Sequence, residues 1–484
     1  MSTHDYKSAQ RPNPDELLVT IADYAKNYQV DSAQAYETAK YCLMDTLACG
    51  FQALKYPACT RLLGPVVPGA TMPGGSRVPG TSYELDPVMG AFSIGAMVRW
   101  RDFNDTWLAA EWGHPSDNLG AILAVADYLS RRAILMGEKP LTLRDILTAM
   151  IKAHEIQGVI AIKNSFTRVG LAHVVLVKVA SAAVVTGLLG GTEAQIADAL
   201  SHAWVDGQSL RTYRHAPNTT SRKSWAAGDA TSRAVRLALM VLRGEPGLPS
   251  ALSAPRWGFD DVSFRGERLE IVRPYGSYVM EHVLFKIAFP AEFHAQTAVE
   301  CALQLHPLVR DRLEEIERVE LRTQEPAIRI ISKTGPLHGP ADRDHCLQYM
   351  VAVPLVHGRL DAGCYEDDFA GDPQIDALRA KMTVAEEPRF TRDYYDPDKR
   401  SIGNSVRVRF RDGSATPLVE VEYPLGHRRR RAEGLPLLVR KFRDALATRY
   451  PGPRAEAIAG LCQDAGRLEA TPVHEFMDLL VPQA

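Results

Sequence analysis

Residues 99–120, RWRDFNDTWLAAEWGHPSDNLG, set aspartates, a glutamate and a histidine among three tryptophans and a phenylalanine. Polar groups crowded by bulky apolar ones must be paired or put to use once buried, so the stretch reads as a pocket wall. His114 with a carboxylate nearby suits acid–base work. Asp102 and Thr106 are four apart and would share a face if the preceding helix continued through them. Ser116 reads as the N-cap of the next helix, which would hold His114 just ahead of free N–H groups that favour an anion. The plainer alternative makes Asp102 a local cap and His114 a satisfied loop histidine. The chemistry suggested is the handling of a small acidic molecule.

Other polar groups stand in suggestive places. His173 opens a very apolar run, where a lone histidine is ordinarily a core residue bonded to a carbonyl, and Lys178 on the same run must pair or reach the edge. The segment RTYRHAPNTTSRKSW carries Arg211, Arg214, His215, Arg222 and Lys223 ahead of a helix start. Cations there oppose the helix dipole unless an anion lies between them, which makes Arg222 and Lys223 candidates for gripping a substrate carboxylate. A solvated basic loop is the alternative. Lys286 and His294, in FKIAFPAEFHAQTA, flank a change of composition of the kind found at domain junctions, where ligands often bind. Tyr349 begins an apolar run and reads first as a core tyrosine. The run His427–Arg431 reads as a solvated loop. No Walker A, Rossmann glycine fingerprint, H-E-x-x-H, EF-hand loop or G-x-S-x-G occurs, so nucleotide, metal and serine-nucleophile readings lose their usual support.

These groups must be positioned by elements that are mostly helical up to about residue 245. Helices are predicted over SAQAYETAKYCLMDTLACGFQAL, over MGAFSIGAMVRW, and over TLRDILTAMIKAHEIQGVIAI, where Thr142 and Asp145 have capping-box spacing. Thr192 and Gln195 repeat that spacing at the head of TEAQIADALSHAWVDG, and SWAAGDATSRAVRLALMVLRG reads as one more helix. Near residue 282 the pattern changes. IERVELRT, AIRIISK and the pair SVRVRFRDG…LVEVEYPLG follow a helix-like AQTAVECALQLHPLV, and the pair alternates as half-buried strands around an Asp412-Gly413 turn. LPLLVRKFRDALATRY returns to helix. The expected fold is mainly α: a large helical domain over 1–281, an inserted smaller α+β domain over 282–433, and a return to the helical domain over 434–484.

The chain has 484 residues and a formal charge of −2, so no overall field draws nucleic acid or an anionic membrane. The apolar stretch from Val174 reads better as a buried helix than as a membrane span. Seven scattered cysteines without C-x-x-C make a disulfide framework, a zinc ribbon or an iron–sulfur cluster improbable, and with no signal-peptide core point to the cytoplasm.

VRWRDFNDTWLAAEWGHPSDNLG, SFTRVGLAHVVLVKVASAA, LRTYRHAPNTTSRKSWAAGDATSRAV, RPYGSYVMEHVLFKIAFPAEFHAQTAVE and PADRDHCLQYMVAVPL together resemble the MmgE/PrpD family, in order from about residue 14 to the C-terminus. HPSDN and RKSWAAGDATSRAV resemble its dehydratase branch. The resemblance implies a large helical domain with a smaller α+β lid. It also implies loss of water from 2-methylcitrate, a tricarboxylate, to give 2-methyl-cis-aconitate in propionate breakdown, with no iron–sulfur cluster, metal or other cofactor. A homodimer is the expected assembly. By resemblance to the family's cis-aconitate decarboxylases, pocket positions fall on Asp102, Thr106, His114, His173, Lys223, Lys286 and Tyr349. Here ten residues, NDTWLAAEWG, separate Phe103 from His114, two more than in that pattern. The implied roles are His114 and His173 as the acid–base pair, Asp102 tuning a histidine, Tyr349 as a proton donor, and Lys223, Lys286, Arg222 and Thr106 holding substrate. Decarboxylation of cis-aconitate in the same pocket, and a non-catalytic helical interaction protein, are the competing expectations.

Overall fold

The computed structural model describes residues 9–215 and 217–482, and the chain is mainly helical. In chain order the longer helices of the first half are α1 (Glu16–Asn27), α2 (Ala33–Ala53), α3 (Pro87–Arg99), α4 (Leu119–Met136), α5 (Leu143–Ala161), α6 (Val174–Leu188), α7 (Glu193–Val205) and α8 (Arg222–Leu242). Their ends follow local chemistry. Ser32 accepts the Ala35 N–H at the head of α2, and Asp86 accepts the Val88 and Met89 N–H groups at the head of α3. The predicted capping boxes are present at Thr142/Asp145 and Thr192/Gln195. Gly137, in the left-handed region at φ 71°, closes α4.

Two of the opening expectations need correction. The chain leaves helical geometry after α3, so Asp102 and Thr106 do not share a helix face. Ser116 is not an N-cap: Pro115–Asn118 form a 3-10 turn before α4, and the Ser116 N–H and hydroxyl are bonded to Asp105 and Asn104 instead.

The second half contains α9 (Gln296–Val309), β1 (Ile316–Thr323), α10 (Leu347–His357), β2 (Met382–Glu386), β3 (Asn404–Phe410) and β4 (Val419–Val421), followed by α11 (Arg431–Ala447), α12 (Gly452–Gln463) and α13 (Val473–Leu480). The four strands form one sheet in the order β2-β1-β3-β4, parallel between β1 and β2 and antiparallel elsewhere. Val319 lies opposite Val408 and Leu321 opposite Val406, so β1 and β3 bury the same face. AIRIISK belongs largely to a short helix, Glu325–Ile331. Pro326 starts it, Ala327 and Ile331 bury one face four residues apart, and Arg329 pairs outward with Glu325.

Two hydrophobic cores organise these elements. One gathers buried residues from Leu18 to Ile287 and again from Leu438 to Leu480, and the other runs from Ala291 to Phe410. The chain therefore crosses to the second core and returns. The basic run is a tie between them rather than a free loop. Arg428 and Arg429 bond the Asp398 carbonyl, Arg430 pairs with Glu300, and Arg431 bonds the Val283 carbonyl. Among the described residues no helix is long and apolar enough to cross a membrane, and α6 is a buried core helix with Lys178 bonded to the Asp206 carbonyl.

Three helices meet almost backbone to backbone where α3 crosses α4 and α8. A Cβ on Gly95 would stand 2.8 Å from the Gly228 Cα, one on Gly120 2.8 Å from the Gly95 N, and one on Gly228 2.4 Å from the Phe92 carbonyl oxygen. This contact brings the C-terminal end of α3 beside the N-terminal end of α8, and both ends feed the site described next. Gly228→Ala is expected to lower stability by about 1–3 kcal/mol through overpacking, read as a lower urea midpoint. An unchanged midpoint would show that the helices can separate at no cost.

Candidate functional site

The segment after α3 is held by pairing instead of helix. Thr106 exchanges both backbone hydrogen bonds with Leu284, and Trp107 does the same with Gly113. The second bridge loops out residues 108–112, so the long NDTWLAAEWG spacing is absorbed away from His114. The first bridge brings residue 286 beside residue 102. Lys286 Nζ then bonds both the Asp102 carbonyl, at 2.7 Å, and its Oδ1, at 2.6 Å. Asp102 adopts φ 50°, a left-handed conformation that aspartate tolerates better than most residues.

Asp102 is the hub. Its Oδ1 also accepts from Arg99 Nη1 at 2.6 Å and lies 3.7 Å from His114 Nε2, while Oδ2 lies 3.5 Å from His345 Nε2. Burial alone would raise this carboxyl. Arg99 and Lys286, with the two histidines beyond, overcome that and hold it well below the usual carboxylate range. The same cations lower His114 as well, here by disfavouring its charged form. Burial, then Arg99, push its imidazole well below the usual value against the pull of Asp102. His114 Nδ1 is 2.7 Å from the Asp105 carbonyl oxygen, which can only accept, so Nδ1 carries the proton and Nε2 is bare. His173 stands edge-on to His114, with ring centroids 5.4 Å apart. Both of its ring nitrogens are buried without a hydrogen-bond partner, and burial followed by Arg214 depresses its pKa strongly. The core reading, in which it would donate to a carbonyl, does not describe it.

These groups line an enclosed cavity, with Thr106, Arg211, Arg214 and Lys333 alongside, and Glu292 and His345 contributed from the second half of the chain. A larger groove beside α1 is open and contains none of them. Arg211 Nη1 and Arg214 Nε are buried and unpaired. Burial and neighbouring Arg214 bring the Arg211 guanidinium down to about 10. Two arginines with unfilled donors next to neutral imidazoles form a cradle for a polyanion.

The sequence-predicted residues divide here. Asp102, Thr106, His114, His173 and Lys286 converge on the cavity. Lys223 sits just behind it, at 2.8 and 2.9 Å from the two Asp344 oxygens and 3.4 Å from His345 Nδ1. Arg222 lies outside, 4.2 Å over the Trp225 ring and 3.6 Å from Asp229. Tyr349 is buried in the second core, where its hydroxyl donates to the Cys364 carbonyl at 2.6 Å. His294 holds Glu292, its Nδ1 2.8 Å from Oε1. Sequence reasoning passed over Arg99, Glu292 and His345 as site residues. Arg99 closes a helix like any C-terminal cation, and nothing in RDHCLQ marks His345 as facing Asp102. Arg211 and Arg214 were visible only as part of a basic loop.

The MmgE/PrpD N-terminal domain model matches residues 19–272 and the MmgE/PrpD C-terminal domain model residues 289–465. The chain belongs to the MmgE/PrpD family. Within it, the chain is 62% identical over 482 residues to the 2-methylcitrate dehydratase of Cupriavidus necator, covering 99% of each. It is 62% identical over 474 residues to that of Salmonella typhimurium, covering 97% of this chain and 98% of the relative. To the mitochondrial 2-methylcitrate dehydratase of Yarrowia lipolytica it is 58% identical over 477 residues, covering 97% and 91%.

The Asp102–Lys286 pair has an energetic consequence. Lys286→Met is expected to cost about 3–5 kcal/mol in urea unfolding, because it strips a cation from a buried carboxylate. The double variant Asp102→Asn/Lys286→Met should lose less than the sum of the single losses. Strictly additive losses would show that the two groups are not coupled.

Proposed function

We propose that this protein dehydrates 2-methylcitrate to 2-methyl-cis-aconitate in propionate breakdown, without an iron–sulfur cluster. The observation that carries the reading is the cavity in which unpaired Arg211 and Arg214 donors face two neutral imidazoles beside Asp102 and Lys286. The names of the MmgE/PrpD relatives supply the substrate.

Removing water from a β-hydroxy acid needs a base for the carbon-bound proton, an acid for the departing hydroxyl, and cations for the enolate-like carboxylate that develops between them. Arg211, Arg214 and Lys286 hold the substrate carboxylates, with Thr106 at the edge of the site. His114, protonated on Nδ1, takes the carbon-bound proton at Nε2. His173 protonates the leaving hydroxyl. Burial and then Arg214 keep His173 neutral, and three substrate carboxylates offset the Arg214 charge and raise its proton affinity. Lys223 and Arg222 then act from outside the substrate's reach, Lys223 by fixing Asp344 and His345. Tyr349 supports α10 from within the second core.

The domain reading of 1–281, 282–433 and 434–484, with the middle segment as a lid, is supported by the two cores and by a cavity that draws Glu292, Lys333 and His345 from the second half. Seven free, buried cysteines suit a cytoplasmic enzyme. A homodimer that binds neither nucleic acid nor membrane completes the proposal.

Turnover of defined 2-methylcitrate isomers tests it. The expected result is ultraviolet absorbance from a conjugated double bond without release of CO₂, whereas CO₂ from cis-aconitate alone would make the protein a decarboxylase. The pH profile of kcat/KM, which reports the free enzyme, carries a further expectation. With His114 depressed, its basic form persists below the ordinary histidine value. The acid limb of the profile, where His114 Nε2 gains its proton, should therefore lie below the ordinary histidine value of about 6.5. An acid limb centred near pH 6.5 or higher would remove His114 as the base.

A further inference from the structure

A second cluster of titratable side chains lies behind the cavity. Cys42 on α2, Asp105 in the bridged segment and His154 on α5 are all fully buried, with ligating atoms mutually within 4.8 Å. His154 Nε2 is 2.8 Å from Asp105 Oδ2, and His154 Nδ1 is 2.8 Å from the Met150 carbonyl oxygen. The Cys42 sulfur is 3.7 Å from Asp105 Oδ2 and 3.6 Å from His154 Nε2. The remaining Asp105 oxygen, Oδ1, accepts the Ser116 N–H at 3.1 Å.

The spacing does not suit a shared metal ion. Nitrogen and oxygen ligands bound to one tetrahedral zinc at about 2.0–2.1 Å stand roughly 3.3 Å apart. The observed 2.8 Å between His154 and Asp105 is instead a charge-assisted hydrogen bond. Both imidazole nitrogens face oxygen acceptors, so the form that fills both bonds carries a proton on each.

That pair fixes a peptide. The Asp105 side chain is held at both oxygens from two different elements. The N–H of the next residue, Thr106, donates to Leu284 at 2.7 Å. The peptide between residues 105 and 106 therefore cannot turn, and its carbonyl oxygen points at His114 Nδ1, 2.7 Å away. The opposite tautomer of His114 would set a bare nitrogen against a carbonyl oxygen at that distance. A hydrophobic pair of similar volume would fill the space behind the peptide at no cost in desolvation, but it would not hold the carbonyl.

We infer that His154 is a positioning residue for His114. By pinning Asp105 it makes the Asp105 carbonyl hold the His114 proton on Nδ1, which leaves Nε2 as the bare nitrogen facing substrate. The inference deepens the proposed dehydratase reading by assigning a part of its machinery to a residue that never touches substrate.

Two measurements test it. In enzyme labelled with ¹⁵N-histidine at neutral pH, the His114 signals, assigned by their loss in His114→Gln, should report the Nδ1–H tautomer. An Nε2–H tautomer overturns the inference. This reading needs no turnover, so its failure is distinguishable from failure of the functional proposal. The second measurement compares two variants. In His154→Gln the amide nitrogen stands where Nε2 stood and can still donate to Asp105. In His154→Asn it stands near Nδ1 and serves only Met150. His154→Asn is expected to lower kcat about tenfold or more with KM within about twofold, and His154→Gln to recover most of that loss. Equal losses in both variants, or no loss in either, would reduce His154 to a structural residue. Stoichiometric zinc in the purified enzyme, released together with activity by a chelator, would replace the inference with a metal site.

Discussion

The Asp102 carboxylate, enclosed with Arg99 and Lys286 both at 2.6 Å, is the constraint on which the site depends. The cavity that contains it is lined by Arg99, Arg211, Arg214, Lys286 and Lys333 against the carboxylates of Asp102 and Glu292, and such a positive excess is costly unless an anion comes to balance it. Keeping the histidines neutral avoids adding to that excess. Burial and the arginines hold both His114 and His173 down, so the base is ready before substrate arrives. The positive field that selects a polyanionic ligand is thus the same field that prepares the catalytic imidazoles. The Asp102 charge limits how far His114 is depressed and keeps Lys286 in place.

The scaffold exists to bring distant pieces to that carboxylate. Gly95, Gly120 and Gly228 allow three helices to meet without side chains between them, which sets Arg99 beside the start of α8. The Thr106–Leu284 bridge aligns Lys286 with Asp102 across 184 residues of sequence. Glu292 and His345 arrive from the half of the chain built on the second core. His294, which touches none of the reacting groups, keeps Glu292 in its place through a 2.8 Å bond.

Much of this was legible in the sequence where the signal is local. Capping boxes at Thr142 and Thr192, the helical run of α2 and the alternation of β3 all have short-range physical causes, and the structure follows them. Five of the eight site residues singled out from the sequence line the cavity. What sequence could not convey was partnership. Lys223 and Arg222 stand in one basic stretch, yet one is paired with Asp344 at the back of the site and the other lies over Trp225 outside it. Ser116 has the residue type of an N-cap, but Asp105 takes its N–H from across the loop. Arg99, Arg211, Arg214 and His345 matter because of what they face, and facing is a tertiary property. AIRIISK is apolar enough for a strand, and Pro326 with the Arg329–Glu325 pair makes it a helix.

The central claim is that Asp102 is an ionised carboxylate in the resting enzyme. It can be read from the infrared difference between wild type and Asp102→Asn, each labelled with ¹³C-aspartate, at about pH 5, above the ordinary aspartate range. Subtraction cancels the other buried acids, Asp45 and Asp117, whose carboxyls burial raises to about 6 and about 7. The expected difference contains the paired stretches of a carboxylate and no band of a protonated acid. A protonated carboxyl band belonging to Asp102 at that pH would contradict the account.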